Sequence, residues 1–317
     1  MDQAKTKSIP VAETVVPARI AAKTRYQTQR RAYRLYLLPS LAVLVAVTVA
    51  PTLFLLVTSF TPLNLTLPET IGDFSRPFFN YTFLLQDKRF HNSVWVQIKL
   101  SLATVSLQLL AGLAIALLLN IRTKFLEACR TIFLIPMVLP PIVVAIIWKV
   151  LYTPDISPVL WALRSVGLPA PSLITEPDLA LWSIIIADVW EWFPFTMLMI
   201  LASLQMMPEE PIEAARIDGA NSWQLFLCII LPFLRPALLV SGLFRLIDSI
   251  KAFPLIYILT YGGPGTVTEV TNFYVFIQAF NFSYLGFSSG ITVAMVTATF
   301  LLSWWIIKIV GTKVEIE

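Results

Sequence analysis

Of 317 residues, 57% are hydrophobic and only 13% charged, and the mean hydropathy is +0.77; a water-soluble domain carries about 25% charge, so lipid is the main solvent. The net charge of +4 does not point to nucleic acid, because eight of the 23 basic residues crowd into the first 34 positions beside an apolar run, the pattern of a juxtamembrane flank. One histidine, His91, and two distant cysteines, Cys129 and Cys228, exclude an ordinary zinc site, and no metal is expected.

A bilayer core of roughly 30 Å needs about 20 helical residues, and the predicted fold is all-α with six membrane spans. The basic tail, 1–34, leads into the first span, 36–59, which is too long for the apolar region of a cleavable signal and reads as an anchor. An outer loop, 60–93, with aromatic and turn residues precedes the second span, 94–119. The third span, 131–152, contains Pro140 and Pro141, tolerable as a kink in a bundle. A loop with five prolines, 153–178, leads to the fourth span, 179–204. A polar loop, 206–236, separates it from the fifth, 237–260, and the sixth, 284–310, precedes a short C-terminus, 311–317. Basic residues number 15 in the segments on the side of the N-terminus and 4 on the other, with four inside spans. This bias predicts both termini in the cytoplasm, the side where both cysteines fall and disulfides are disfavoured. Lys99 and Lys149, beside Trp95, Trp148 and Tyr152, are expected to snorkel to the interface.

Three features could carry chemistry. The first is Pro208-Glu209-Glu210-Pro211-Ile212-Glu213-Ala214-Ala215-Arg216-Ile217-Asp218-Gly219-Ala220. Pro211 suits a first helical turn, the glutamates favour the positive end of the helix dipole, and Gly219 suits a left-handed cap. Trp223, Phe226, Leu227 and Ile230 then follow at helical spacing, with Pro232 and Pro236 expected to interrupt that second helix. A compact helix here suits a groove on another protein; a loop lying on the membrane surface is the alternative.

The second feature is charge inside the membrane, which costs about 2.5–3.5 kcal/mol per residue at mid-bilayer. The fourth span holds Asp188, Trp190, Glu191 and Trp192; the fifth holds Arg245, Asp248 and Lys251. They read as a polar path or gate for a solute, as the proton or ion relay of an ATP-independent secondary transporter or channel, or as an ion-pair network in which Arg245–Asp248 or Asp248–Lys251 satisfy one another on one helix face. The third feature, Gly286-Phe287-Ser288-Ser289-Gly290, has hydrolase-elbow spacing. It opens a span, and the lone histidine is some 195 residues away in the sequence, so these small residues are expected to permit close helix packing. No phosphate-loop motif occurs in the sequence, and ATP hydrolysis by this chain is not expected.

The polar loop resembles the EAA loop of bacterial ABC importer permeases: Glu213-Ala214-Ala215, three residues, Gly219, nine residues, Ile229, one residue, Leu231-Pro232. Leu134 to Trp148, Asp188 to Phe195, Leu259 to Gly265, and Asn92 to Asn120 as the start of the core domain are similar to the carbohydrate-uptake branch of that family. Together the likeness covers roughly residues 30 to 310. One departure stands out, since the branch often has Asp after the Phe of the fifth-span motif and here Pro254 follows Phe253. The resemblance implies a type I ABC importer permease fold with a core domain over 92–310, preceded by an added first helix and outer loop, 35–91. It implies that Glu213, Ala214, Ala215, Asp218, Gly219, Ile229, Leu231 and Pro232 couple to a separate ATPase, which uses ATP and Mg. It further implies a second homologous permease, two ATPase subunits, an external solute-binding protein, and a sugar or polyol as the solute.

Overall fold

The computed structural model describes residues 15–121, 123–169 and 171–314, with the side chains of 15–35, 124, 125, 127, 129 and 309–314 excepted. Residues 1–14 of the basic tail with Lys5 and Lys7, Arg122 of the charge count, and 315–317 of the C-terminus lie outside the described residues. Every regular element among the described residues is helical. The first helix, α1 (Val15–Thr58), runs 44 residues, about 66 Å at 1.5 Å per residue, and it belongs to a unit of its own that ends at Val57. It holds Pro39 and Pro51 internally. Hydroxyls near both prolines bond to helix carbonyls, Ser40 to that of Leu37 (2.9 Å) and Thr52 to that of Thr48 (2.7 Å). From Tyr36 to Phe54 its side chains are exposed, as a lipid-facing surface requires.

The second unit begins at Thr58. A short helix, α2 (Phe79–Gln86), precedes α3 (Lys88–Leu119), which Asp87 caps by accepting from the Arg89 N–H. Then come α4 (Lys124–Val138), α5 (Pro141–Tyr152), α6 (Pro158–Ser165), α7 (Pro177–Gln205), α8 (Glu210–Ile217), α9 (Ser222–Leu225), α10 (Leu231–Ile250), α11 (Pro254–Leu259), α12 (Thr271–Phe276) and α13 (Leu285–Val314). The centre of this unit is α3 laid along α7, with α10 against both and α11 against α5. Close approach of α3 and α7 depends on Gly112, where a Cβ would collide with the Thr196 side chain and the Met197 backbone. One apolar cluster gathers Val96, Leu100, Ile184, Ile185, Ile256 and Phe273; a second gathers Ala116, Met197, Ile200, Leu201 and Leu234.

Among the described residues, five helices have the length and hydropathy to cross a membrane, and a sixth crossing is available as a bent pair. The third span, expected as one helix over 131–152, is α4 and α5 at 101° to each other. Leu139 (ψ 141) and Pro140 (ψ 136) are both extended, because a residue preceding proline is pushed out of the helical region. The fifth span is displaced toward the N-terminus of its expected range, 237–260. Helix runs from Ser222 to Ile250 and stops at Lys251, since Pro254 cannot donate to the carbonyl of Ile250 and its ring would clash there. Pro232 and Pro236 do not interrupt this helix. A wide π-helical turn, Phe226–Ile230, sits just upstream, and the Leu231 N–H reaches the Phe226 carbonyl five residues back. That shift absorbs the donor Pro232 lacks, a usual origin of such turns.

The first outer loop is tied down by polar bonds. Asn80 donates to the carbonyls of Ser59 and Thr61, and the Gly286 N–H to that of Leu63 (2.8 Å). Gly286 thus packs against the backbone of Thr61 and Leu63, and Gly290 against the Asn80 side chain. At the start of α3, Arg89 grips Glu269 through Nε and Nη2 at 2.8 and 2.6 Å, and Tyr274 donates to Asp87.

Candidate functional site

The segment 206–236 folds as two helices around a tight turn. In α8, Pro211 occupies the second position and Glu210 and Glu213 lie in the first turn, where carboxylates meet the positive end of the dipole. Gly219 takes φ +84. The Gly219 N–H bonds to the Arg216 carbonyl (3.1 Å) and the Ala220 N–H to that of Ala215 (2.9 Å), which is the paired bonding of a Schellman cap. None of the residues of α8 is buried, Ile217 being 86% exposed. Asn221 and Gln224 then cap the second helix reciprocally at 2.9 and 2.8 Å, a capping box that the sequence reading missed. Ile229 lies in the wide turn, and Leu231 and Pro232 open α10. Thus Glu213, Ala214, Ala215, Asp218 and Gly219 stand on an exposed helix and its cap, while Ile229, Leu231 and Pro232 belong to a continuous helix that passes into the bundle.

That helix carries Arg245, which is 2% exposed. Its Nε donates to the Gln108 Oε1 (2.9 Å), its Nη1 to the Asp248 Oδ2 (3.3 Å), and its Nη2 lies 3.8 Å from the Asp188 Oδ2. The guanidinium also lies over the Trp192 ring, 4.5 Å from its centroid, a cation–π arrangement. Gln108 completes the join: its amide donates to both the carbonyl and the Oδ2 of Asp188 (3.1 and 2.8 Å). One amide from α3 therefore bridges α7 and α10, so the expected pair along one helix face, Arg245–Asp248, is only part of a three-helix network. Lys251 joins no ion pair with Asp248 among the described residues; its carbonyl accepts from Asn272.

A cavity of about 220 Å³ opens beside this network, lined by Asp188, Glu191, Trp192, Arg245, Asp248, Lys251, Phe253 and Pro254 among others. Glu191 is 1% exposed, and its Oε1 has no hydrogen-bond partner. Six of the seven charged and aromatic candidates meet here. Trp190 does not: it packs edge-on against Trp148 (5.7 Å) in the apolar cluster, since adjacent residues on a helix point about 100° apart. Among the described residues no group of three His, Cys, Asp or Glu side chains is placed to hold a metal.

The sequence reading also missed Gln108 and the seam it ends. Ser93, Gln97, Ser101, Thr104 and Gln108 are all buried on α3. Gln97 donates to the Ser101 hydroxyl and the Ser249 carbonyl, and Ser249 to the Ser101 hydroxyl. Their spacing of four, four, three and four was a helical-period stripe of polar residues in an apolar span, visible without the structure.

Comparison with known proteins agrees with this geometry. Residues 108–315 match the family described as binding-protein-dependent transport system inner membrane component. The chain is 37% identical over 229 residues to the trehalose/maltose transport system permease protein MalF of Thermococcus litoralis, covering 72% of this chain and 76% of that protein. It is 33% identical over 282 residues to the sulfoquinovosyl glycerol transport system permease protein SmoG of Agrobacterium fabrum, covering 88% and 90%. Its fold superposes with a TM-score of 0.78 on a chain of a bacterial alginate ABC transporter crystallised with an alginate pentasaccharide-bound periplasmic protein, at 20% identity over 91% of this chain and 98% of that one. The chain belongs to the inner membrane components of binding-protein-dependent transport systems, a family of multi-pass permeases.

Proposed function

We propose that this chain is the sugar-translocating permease subunit of an ABC importer, driven by an ATPase on separate chains. The observation that carries the reading is mechanical. A capped helix with no buried residue, α8, is joined by four residues, Asp218 to Asn221, to a helix that runs unbroken from Ser222 to Ile250. That helix delivers Arg245 and Asp248 to the polar cavity. Motion imposed on α8 by a docked ATPase moves the cavity wall, and exchange between inward- and outward-open states follows from rocking of packed helices. Both termini and α8 lie in the cytoplasm, as the basic bias requires. The assembly holds a second homologous permease, two ATPase subunits and an external solute-binding protein. ATP and Mg²⁺ are used by the ATPase, and this chain is not itself a catalyst. The names of the relatives support a sugar as the solute.

The test is co-purification with the ATPase and uptake in proteoliposomes. E213A and G219V are expected to abolish uptake and weaken ATPase capture while leaving the permease folded. Survival of both activities in both variants overturns the docking role; uptake by the chain without any ATPase overturns the ABC reading.

A further inference from the structure

We infer that the cavity beside Arg245 selects by charge, taking one neutral or cationic sugar ring and rejecting anionic sugars such as uronic acids. The inference rests on the reading of this chain as a sugar permease. At about 220 Å³ the cavity holds the volume of about seven waters at roughly 30 Å³ each, the scale of a single ring. The buried cation within it is already engaged. Arg245 has Nε on Gln108, Nη1 on Asp248, Nη2 at 3.8 Å from Asp188 and one face on Trp192, so its charge is answered by two carboxylates before any solute arrives. Lys251, the other cation in the wall, is exposed to solvent. One carboxylate is in the opposite condition. Glu191 is 1% exposed, borders the cavity, and its Oε1 accepts from nothing. A buried carboxylate without donors is costly, and a sugar hydroxyl is a donor of the kind it lacks. A carboxylate brought beside Glu191, Asp188 and Asp248 meets like charge instead. Phe253 and Pro254 in the same wall add an apolar surface, as sugar ring faces require.

The experiment uses the full assembly of both permeases and the ATPase in nanodiscs, without the solute-binding protein. Saturation-transfer NMR compares glucose, glucuronate and glucosamine. Glucose and glucosamine are expected to bind, with glucuronate at least about tenfold weaker. E191Q, which removes the charge and supplies a donor, is expected to bring glucuronate within about twofold of glucose. D248N, at the half-exposed rim, gives a smaller shift in the same direction and serves if E191Q does not assemble. Equal binding of glucose and glucuronate by the native assembly overturns the inference, as does an unchanged ratio in both variants. Failure of all three sugars to bind counts against the sugar reading itself and removes the basis of the inference.

Discussion

Helix α8 and the centre around Arg245 handle charge in opposite ways. In α8 the glutamates lie in water at the positive end of a helix dipole, and none of the residues of the helix is buried. Around Arg245 the charges of Asp188 and Asp248 are answered by the guanidinium, across to α7 and along α10, while the Oε1 of Glu191 is answered by nothing. A free helix surface is built to meet another molecule. A closed network holds the bundle, and one unanswered carboxylate within it marks where a ligand is met. The two regions also differ in what a substitution should do: the first alters partnership with little effect on stability, the second alters stability first.

The largest expected effect is at Arg245. R245M leaves the carboxylates of Asp188 and Asp248 without their cation, and breaking a buried pair this way costs about 3–5 kcal/mol. Thermal unfolding in detergent should show it, and adding D188L to R245M should recover part of the loss; no recovery would mean that the network is not what holds α7 to α10. Next is Q108L, which strips Asp188 of its amide donor and Arg245 of its acceptor, at about 1–3 kcal/mol for each group left unsatisfied. Its melting temperature should fall clearly while ATPase capture in the folded fraction persists.

At Gly219 the comparison reverses. The left-handed backbone costs a β-branched residue about 1–2 kcal/mol, while asparagine tolerates it, and no atom lies within 4 Å of where a Cβ would stand. G219V should therefore lose uptake and G219N keep much of it, with small changes in melting temperature for both. E213A should weaken ATPase capture and change stability by less than about 0.5 kcal/mol, as for other surface sites. N221A should cost about 1 kcal/mol from a lost cap, confined to the joint and read as faster hydrogen exchange at the start of α9. If N221A also lowers uptake, the joint between α8 and the long helix transmits force.

Much of this was legible in the chain. The bounds of α8 were legible nearly to the residue, because Pro211, the glutamates and Gly219 act through local backbone rules that need no tertiary context. The charged residues were found because charge in an apolar run is conspicuous. Which of them meet was not legible: Arg245 reaches Asp188 through Gln108, 137 residues away in sequence, and nothing local says so. Trp190 and Trp192 look alike in sequence, yet helical rotation places one in an apolar cluster and the other on a guanidinium. The fifth span was placed too far along because hydropathy continues across 251–260, while Pro254 breaks the backbone beneath it. Pro232 was read as a break because the cure, one wide turn upstream, carries no sequence mark.

That wide turn at Phe226–Ile230 also sets where the chain can change length. A π turn accommodates one residue more than an α-helical turn while the flanking helices keep their bearing. Deleting one residue there would leave the docking surface and Arg245 at nearly their present angular phase, at the expense of a proline conflict at Pro232. The same deletion between Leu238 and Leu243 would turn everything beyond it by about 100°, and Arg245 would face away from Gln108. The helix thus has one place with a residue of slack, and elsewhere its length is fixed by the two faces it must present.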